Sequence, residues 1–207
     1  MAYSDDLIDR ADALTGRNEV PSLRDRLRRE TAQAHQRVDH LFGSQNLGDE
    51  QGYGRFLSAQ ACAWESLRPL LDSGSLARAD ALREDLRALG LPLPARLPGP
   101  LPGALSLGHS YVLEGSRLGS TLLLRALDEA SPALAARANS YLTESAKIES
   151  WKLLSTRLQS DHSGRDRIDA IIDDALFVFG LFERAWQATD RAPAKASPSV
   201  DRADRPT

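Results

Sequence analysis

The chain has 207 residues, of which 42% are hydrophobic, enough for one sizeable core in a single domain. A net charge of −3, with arginines interleaved among acids, argues against a nucleic-acid binder. The one cysteine, Cys62, excludes a disulfide framework and a cysteine metal cluster within the chain and suits a reducing, cytoplasmic setting. The acidic start MAYSDDLIDRADAL has no apolar run of the secretory kind, and nothing in the chain is long and apolar enough to span a bilayer. Strand-like alternation is absent while Ala, Leu, Arg and Glu dominate, so the fold class is all-α.

Residues 1–20 read as a polar extension, with a short amphipathic helix over Leu7, Ile8, Ala11 and Leu14 ended at Gly16. The first firm helix is expected after Pro21. Ser22 is its N-cap, Asp25 stands in the capping-box position, and Gly43 follows its end. Leu27, Thr31, Ala34, Val38, Leu41 and Phe42 share one face, and His35 lies on the flank of that face, aimed inward, with Asp39 one turn on. A second helix is expected over Gly52–Leu71, kinked near Pro69, with Tyr53, Phe56, Leu57, Gln60, Trp64 and Leu67 inward. A third is capped by Ser75 and ends at Gly90 as its C′ residue. The run LPLPARLPGPLPG, residues 91–103, excludes regular structure and reads as a stiff connection across the surface.

The fourth helix, about Ala104–Leu127, is long and apolar yet carries Gly108, Gly115 and Gly119 inside it. Each interior glycine costs about 1 kcal/mol relative to alanine. Gly115 and Gly119 share a face that another helix or a flat ligand could approach closely. Ser131-Pro132 starts a fifth helix. A sixth spans about Ala146–Gln159, with Ile148, Trp151, Leu154 and Leu158 inward. The last spans about Arg165–Gln187, with Ile168, Ile171, Ile172, Ala175, Leu176, Phe179, Phe182 and Trp186 as its stripe. The domain is therefore expected over residues 21–189, followed by a disordered tail at 190–207.

The histidines are His35, His40, His109 and His162. His40 falls on the polar side of its helix, His162 in a polar turn, and His109 could face either way. No pair has metal-motif spacing, so no multi-ligand metal site is indicated. A single axial ligand remains possible, and haem requires only that from a protein. On spacing alone a lone histidine such as His35 is more often a hydrogen-bonded core residue than a ligand, and close helix packing explains the glycines at least as often as a ligand does.

Two stretches then carry a resemblance over about residues 22–187. LRRETAQAHQRVDHLF is similar to the proximal-helix pattern of haem oxygenases, in which Leu27, Thr31 and His35 occupy the Leu-x-x-x-Thr-x-x-x-His positions. YVLEGSRLGS, Tyr111 to Ser120, resembles the distal helix of the bacterial branch, with YGRFL at 53–57, Trp151 and the closing Phe/Trp helix also fitting. The likeness is to the bacterial forms that accompany bacteriophytochromes. It implies a single-domain helical bundle holding haem between a proximal and a glycine-bearing distal helix. His35 would be the iron ligand, with Asp39 near its other nitrogen. Gly115 and Gly119 would let the distal helix lie over the macrocycle. Ser116 stands where relatives place an acid that organises water, and Ser120 replaces the second glycine of a common pair. Arg28 is the leading propionate anchor, with Arg117, Lys152 and Tyr111 as further candidates. The implied reaction converts haem b, both substrate and cofactor, with O2 to biliverdin, Fe2+ and CO. Electrons would come from a ferredoxin or flavin reductase, because no flavin or dinucleotide fingerprint is present, and a bacteriophytochrome would consume the product. The alternatives are a non-catalytic haem carrier or sensor on the same fold and a helical interaction protein without haem.

Overall fold

The computed structural model describes residues 21–43, 46–162 and 165–190, and among these every regular element is a helix. The expected helix at residues 7–14 and the tail beyond Asp190 lie outside the described residues. The helices are α1 (Leu23–Gly43), α2 (Glu50–Leu67), α3 (Ser73–Ala88), α4 (Leu107–Ala130), α5 (Pro132–Arg137), α6 (Ser140–Ser145), α7 (Glu149–Gln159) and α8 (Arg165–Asp190).

Local chemistry sets most of the boundaries. Ser22 and Asp25 form a reciprocal box at the start of α1: the Asp25 N–H donates to Ser22 Oγ at 3.2 Å, and the Ser22 N–H to Asp25 Oδ2 at 3.2 Å. Pro69 turns the end of α2 into a single 3-10 turn, Arg68–Leu70. Asp72, rather than Ser75, caps α3; its carboxylate accepts the Ser75 N–H at 2.8 Å, and α3 begins three residues earlier than expected. Gly90 ends the turn after α3 with φ 65°, the left-handed conformation that glycine adopts without strain. Helix α6 was not legible in the sequence. Its N-terminus is held from a distance, by the buried Asp85 carboxylate accepting the Ser140 and Tyr141 N–H groups at 2.9 Å each.

Helix α2 is the innermost, buried almost all round from Gly52 to Leu67. Helices α1, α2 and α4 all pack on α8. The α1–α8 contact runs the full length of both. Arg26 meets Asp169 at 3.1 Å, the His35 ring stands edge-on to Phe179, Arg37 meets Glu183 at 2.9 Å, and Phe42 packs on Phe182 and Trp186. Leu176, expected inside, is partly exposed instead; it shares with Asp169 and Glu183 the flank of α8 that borders α1. Helix α7 is the least buried long element: Leu158 is buried, Trp151 and Leu154 are half-buried, and Leu153 is exposed. The 91–103 connection carries no helix and is tied to α2, the Leu97 N–H donating to Ser66 Oγ at 2.9 Å. No described helix is long and apolar enough to cross a membrane.

Candidate functional site

The three interior glycines of α4 answer to different neighbours. At Gly108 an added Cβ would stand 1.9 Å from the Ile171 carbonyl oxygen and 2.9 Å from the Ala175 nitrogen, so this glycine is what lets α4 cross α8. At Gly115 the Cβ would rest 3.5 Å from the Trp151 ring, an ordinary contact. At Gly119 nothing lies within 4 Å. Packing against another helix therefore explains Gly108 and leaves Gly119 unexplained.

Helical periodicity makes the opening more specific. Val112, Leu113, Ser120 and Leu127 are buried along α4, yet Ser116 and Gly119, which fall within the same half of the helix, are exposed. The wall of α4 is thus bare where the sequence places its smallest side chains. Ser120 is buried and turned inward, its hydroxyl donating to the Ser116 carbonyl at 3.1 Å.

A second open flank lies on α1. Arg28, His35 and Asp39 sit on one side of the helix and all three are exposed. His35, expected to aim inward, has a side chain 57% exposed, with Phe179 against one edge of the ring. Its Nδ1 is 3.5 Å from Asp39 Oδ2, a separation that a small side-chain rotation closes to a hydrogen bond. An imidazole oriented through Nδ1 leaves Nε2 as the metal-binding nitrogen. Among the described residues no group of three or more His, Cys, Asp or Glu could hold a metal ion.

The remaining candidates divide by burial. Lys152 is exposed on α7. Tyr111 is half-buried, its ring 5.9 Å from that of Trp151. Arg117 is buried within the α4–α6 contact, donating to Glu114 Oε2 at 2.6 Å and to the Glu144 carbonyl at 3.0 Å, so its donors are already engaged. Glu114 also accepts from Ser150. His109 is buried at the start of α4, where its Nδ1 accepts the Ser106 N–H at 3.0 Å and completes the N-terminal cap. Burial pushes the His109 pKa down, against the raising effect of Asp174. His40 and His162 are exposed.

The residue that sequence reasoning passed over is Arg78. It is fully buried, and its guanidinium lies 4.4 Å over the Trp64 ring. Its three nitrogens donate to Ser145 Oγ at 2.9 Å, the Leu113 carbonyl at 2.6 Å and Ser116 Oγ at 2.8 Å. One arginine on α3 therefore fixes α6 and the open stretch of α4 together. The signal was present: Arg78 lies four residues before Leu82 and eight before Leu86, both buried, so the helical period places it on the buried face.

The chain has relatives of known name. A haem oxygenase of Xanthomonas campestris pv. campestris is 38% identical over 96 residues, covering 44% of this chain and 58% of that protein. The haem oxygenase PigA of Pseudomonas aeruginosa is 33% identical over 110 residues, covering 46% of this chain and 56% of that protein. The chain thus spans a little over half the length of the curated relatives it matches. Among solved structures, the NO- and CO-bound haem oxygenase from Neisseria meningitidis shares the fold at a TM-score of 0.64, over 84% of this chain and 95% of that chain, with 21% sequence identity. No family model matches the chain. Two relatives of that one name, each matched over a little more than half its length, and a fold shared over most of the chain make this chain similar to bacterial haem oxygenases in sequence and in fold.

Proposed function

We propose that the protein is a haem oxygenase, taking haem b as substrate and cofactor and cleaving it with O2 to biliverdin, Fe2+ and CO. The observation that carries this reading is the pair of open flanks: an exposed histidine with a carboxylate behind it on α1, and a bare glycine-serine arc on α4. Both helices are held by α8, so the two flanks are fixed relative to each other. A flat macrocycle would fit between two such flanks, with an imidazole on one side and a backbone-close surface on the other.

In this reading His35 Nε2 holds the iron, and Asp39 keeps the proton on Nδ1, which fixes the tautomer and ring plane. Phe179 limits ring rotation from the floor. Arg28, two turns before His35 on the same flank, and exposed Lys152 meet the propionates. Arg117 is set aside as an anchor, because Glu114 and the Glu144 carbonyl already occupy it. Gly119 and Gly115 admit the macrocycle to the α4 backbone, and Tyr111 with Trp151 borders the edge. The Ser116 hydroxyl accepts from Arg78 and donates to the Leu113 carbonyl at 2.8 Å, so its remaining lone pair orients one water molecule over the bare arc. Bound haem supplies the iron at which O2 is activated, and the residues around it bind, orient and exclude bulk water. Electrons come from an external ferredoxin or flavin reductase, the setting is cytoplasmic, and a bacteriophytochrome is the consumer of biliverdin.

The test is haemin addition to the purified protein, followed by reductant and O2. Growth of biliverdin absorption that His35→Ala reduces at least about a hundredfold supports the reading. A stable haem complex that never yields biliverdin leaves a carrier or sensor, and no Soret shift at all removes haem from the account.

A further inference from the structure

Arg78 presents a charge problem that its hydrogen bonds do not solve. It is fully buried, and among the described residues its partners are a hydroxyl on α6, a carbonyl and a hydroxyl on α4, and the faces of Trp64 and Tyr141. None is a carboxylate. A buried cation normally sits against an anion, because removing it from water unpaired is costly. Nearby Glu114 is already held by Arg117 at 2.6 Å and by Ser150. That carboxylate is thus engaged by the other buried guanidinium, Arg117. Asp85, the buried carboxylate on the same helix as Arg78, is used on the N-terminus of α6. One positive charge remains behind the α4 wall, and its nearest way out is Nη2 through Ser116, an exposed residue on the bare arc.

A purely structural tie between α3, α4 and α6 does not require this charge. Two neutral donors would bond the Leu113 carbonyl and the Ser145 hydroxyl without the desolvation cost. The charge acquires a use if the space over Ser116 receives an anion. We propose that Arg78 is a positioning residue whose charge, lying behind Ser116, makes the α4 wall electropositive, so that haem bound against α4 prefers an anionic sixth ligand to a neutral one. This rests on the proposed haem crevice. It assigns Arg78 an electrostatic role in addition to its mechanical one.

The experiment compares azide, an anion, with imidazole, a neutral ligand, on the ferric haem complexes of wild type, Arg78→Met, Arg78→Gln and Ser116→Ala. The two Arg78 variants are expected to bind azide about tenfold more weakly with imidazole affinity unchanged, a loss of the size that one charge exerts across a partly screened interior. Ser116→Ala keeps the charge and is expected to retain the azide preference within about threefold. If azide and imidazole affinities fall together in both Arg78 variants, or if neither falls, the proposal is overturned. It is equally overturned if Ser116→Ala loses as much azide preference as the Arg78 variants, because the hydroxyl would then be the cause. Should Arg78→Met not fold, Arg78→Gln, which keeps a donor for the Leu113 carbonyl, carries the same reading. Failure of wild type to bind haemin would instead sink the haem reading, so the two failures are distinct.

Discussion

Gly108 and Gly119 lie on the same helix, eleven residues apart, and nothing in their immediate sequence tells them apart. The first has the backbone of α8 under it, where a Cβ would sit 1.9 Å from a carbonyl oxygen; the second faces open space. A glycine that another element presses against is explained by folding. A glycine inside a helix with nothing near it costs about 1 kcal/mol and returns nothing to the fold. In the proposed function that cost is met by a ligand lying over the bare arc of α4.

Substitutions can break this contrast. The largest effect is expected from Gly119→Leu, which fills the arc: haem affinity should fall about a hundredfold in a Soret titration, while the thermal midpoint stays level or rises. Gly108→Ala should do the reverse. Backbone on two sides leaves the methyl no room, so stability should fall by about 3 kcal/mol, at the upper end of overpacking costs, while the folded fraction still binds haem. Equal loss of haem affinity in both variants, at equal stability, would dissolve the distinction. On the α1 flank, Asp39→Asn should weaken haem binding or turnover by about tenfold, the usual scale for a residue that orients a metal-bound histidine.

The smallest effect concerns the start of α4. Burial holds His109 below its ordinary pKa, and its Nδ1 must stay unprotonated to accept the Ser106 N–H. The unfolded chain therefore binds this proton more readily than the folded one. The stability it contributes is present above about pH 6.5 and is lost as pH falls through the lowered folded-state value. Thermal midpoints measured from pH 7.5 to 5 should decline in wild type and decline less steeply in His109→Gln. An identical slope in the two would contradict this role.

Much of the fold was legible because helical period and caps are local. The Ser22–Asp25 box, the Pro69 break and Gly90 all act within a few residues, and the structure places each where short-range chemistry requires. Helix α6 was not legible, since Asp85, which satisfies its first N–H groups, is 55 residues away from Ser140. The third helix was misread at its cap because two hydrogen-bonding residues, Asp72 and Ser75, compete at its start and only geometry chooses between them. In the candidate site, His35 and Asp39 stand at the spacing that suggested them, but on an exposed flank rather than aimed inward. Whether Arg117 could reach a pocket edge depended on Glu144, which comes from another helix. Arg78 was hidden by a different confusion: in an arginine-rich helix a buried cation looks like its solvated neighbours until period is weighed above charge.

The central claim is that haem sits between His35 and the bare arc of α4. It is tested most directly by titrating haemin into wild type and His35→Ala and reading axial ligation from the ferric spectrum, with imidazole then added to the variant. The account predicts a one-to-one histidine-ligated complex in wild type, its loss in His35→Ala, and its return when imidazole enters the space the side chain left. The same histidine-ligated spectrum in His35→Ala without imidazole would contradict it, because the iron would then be held by another residue.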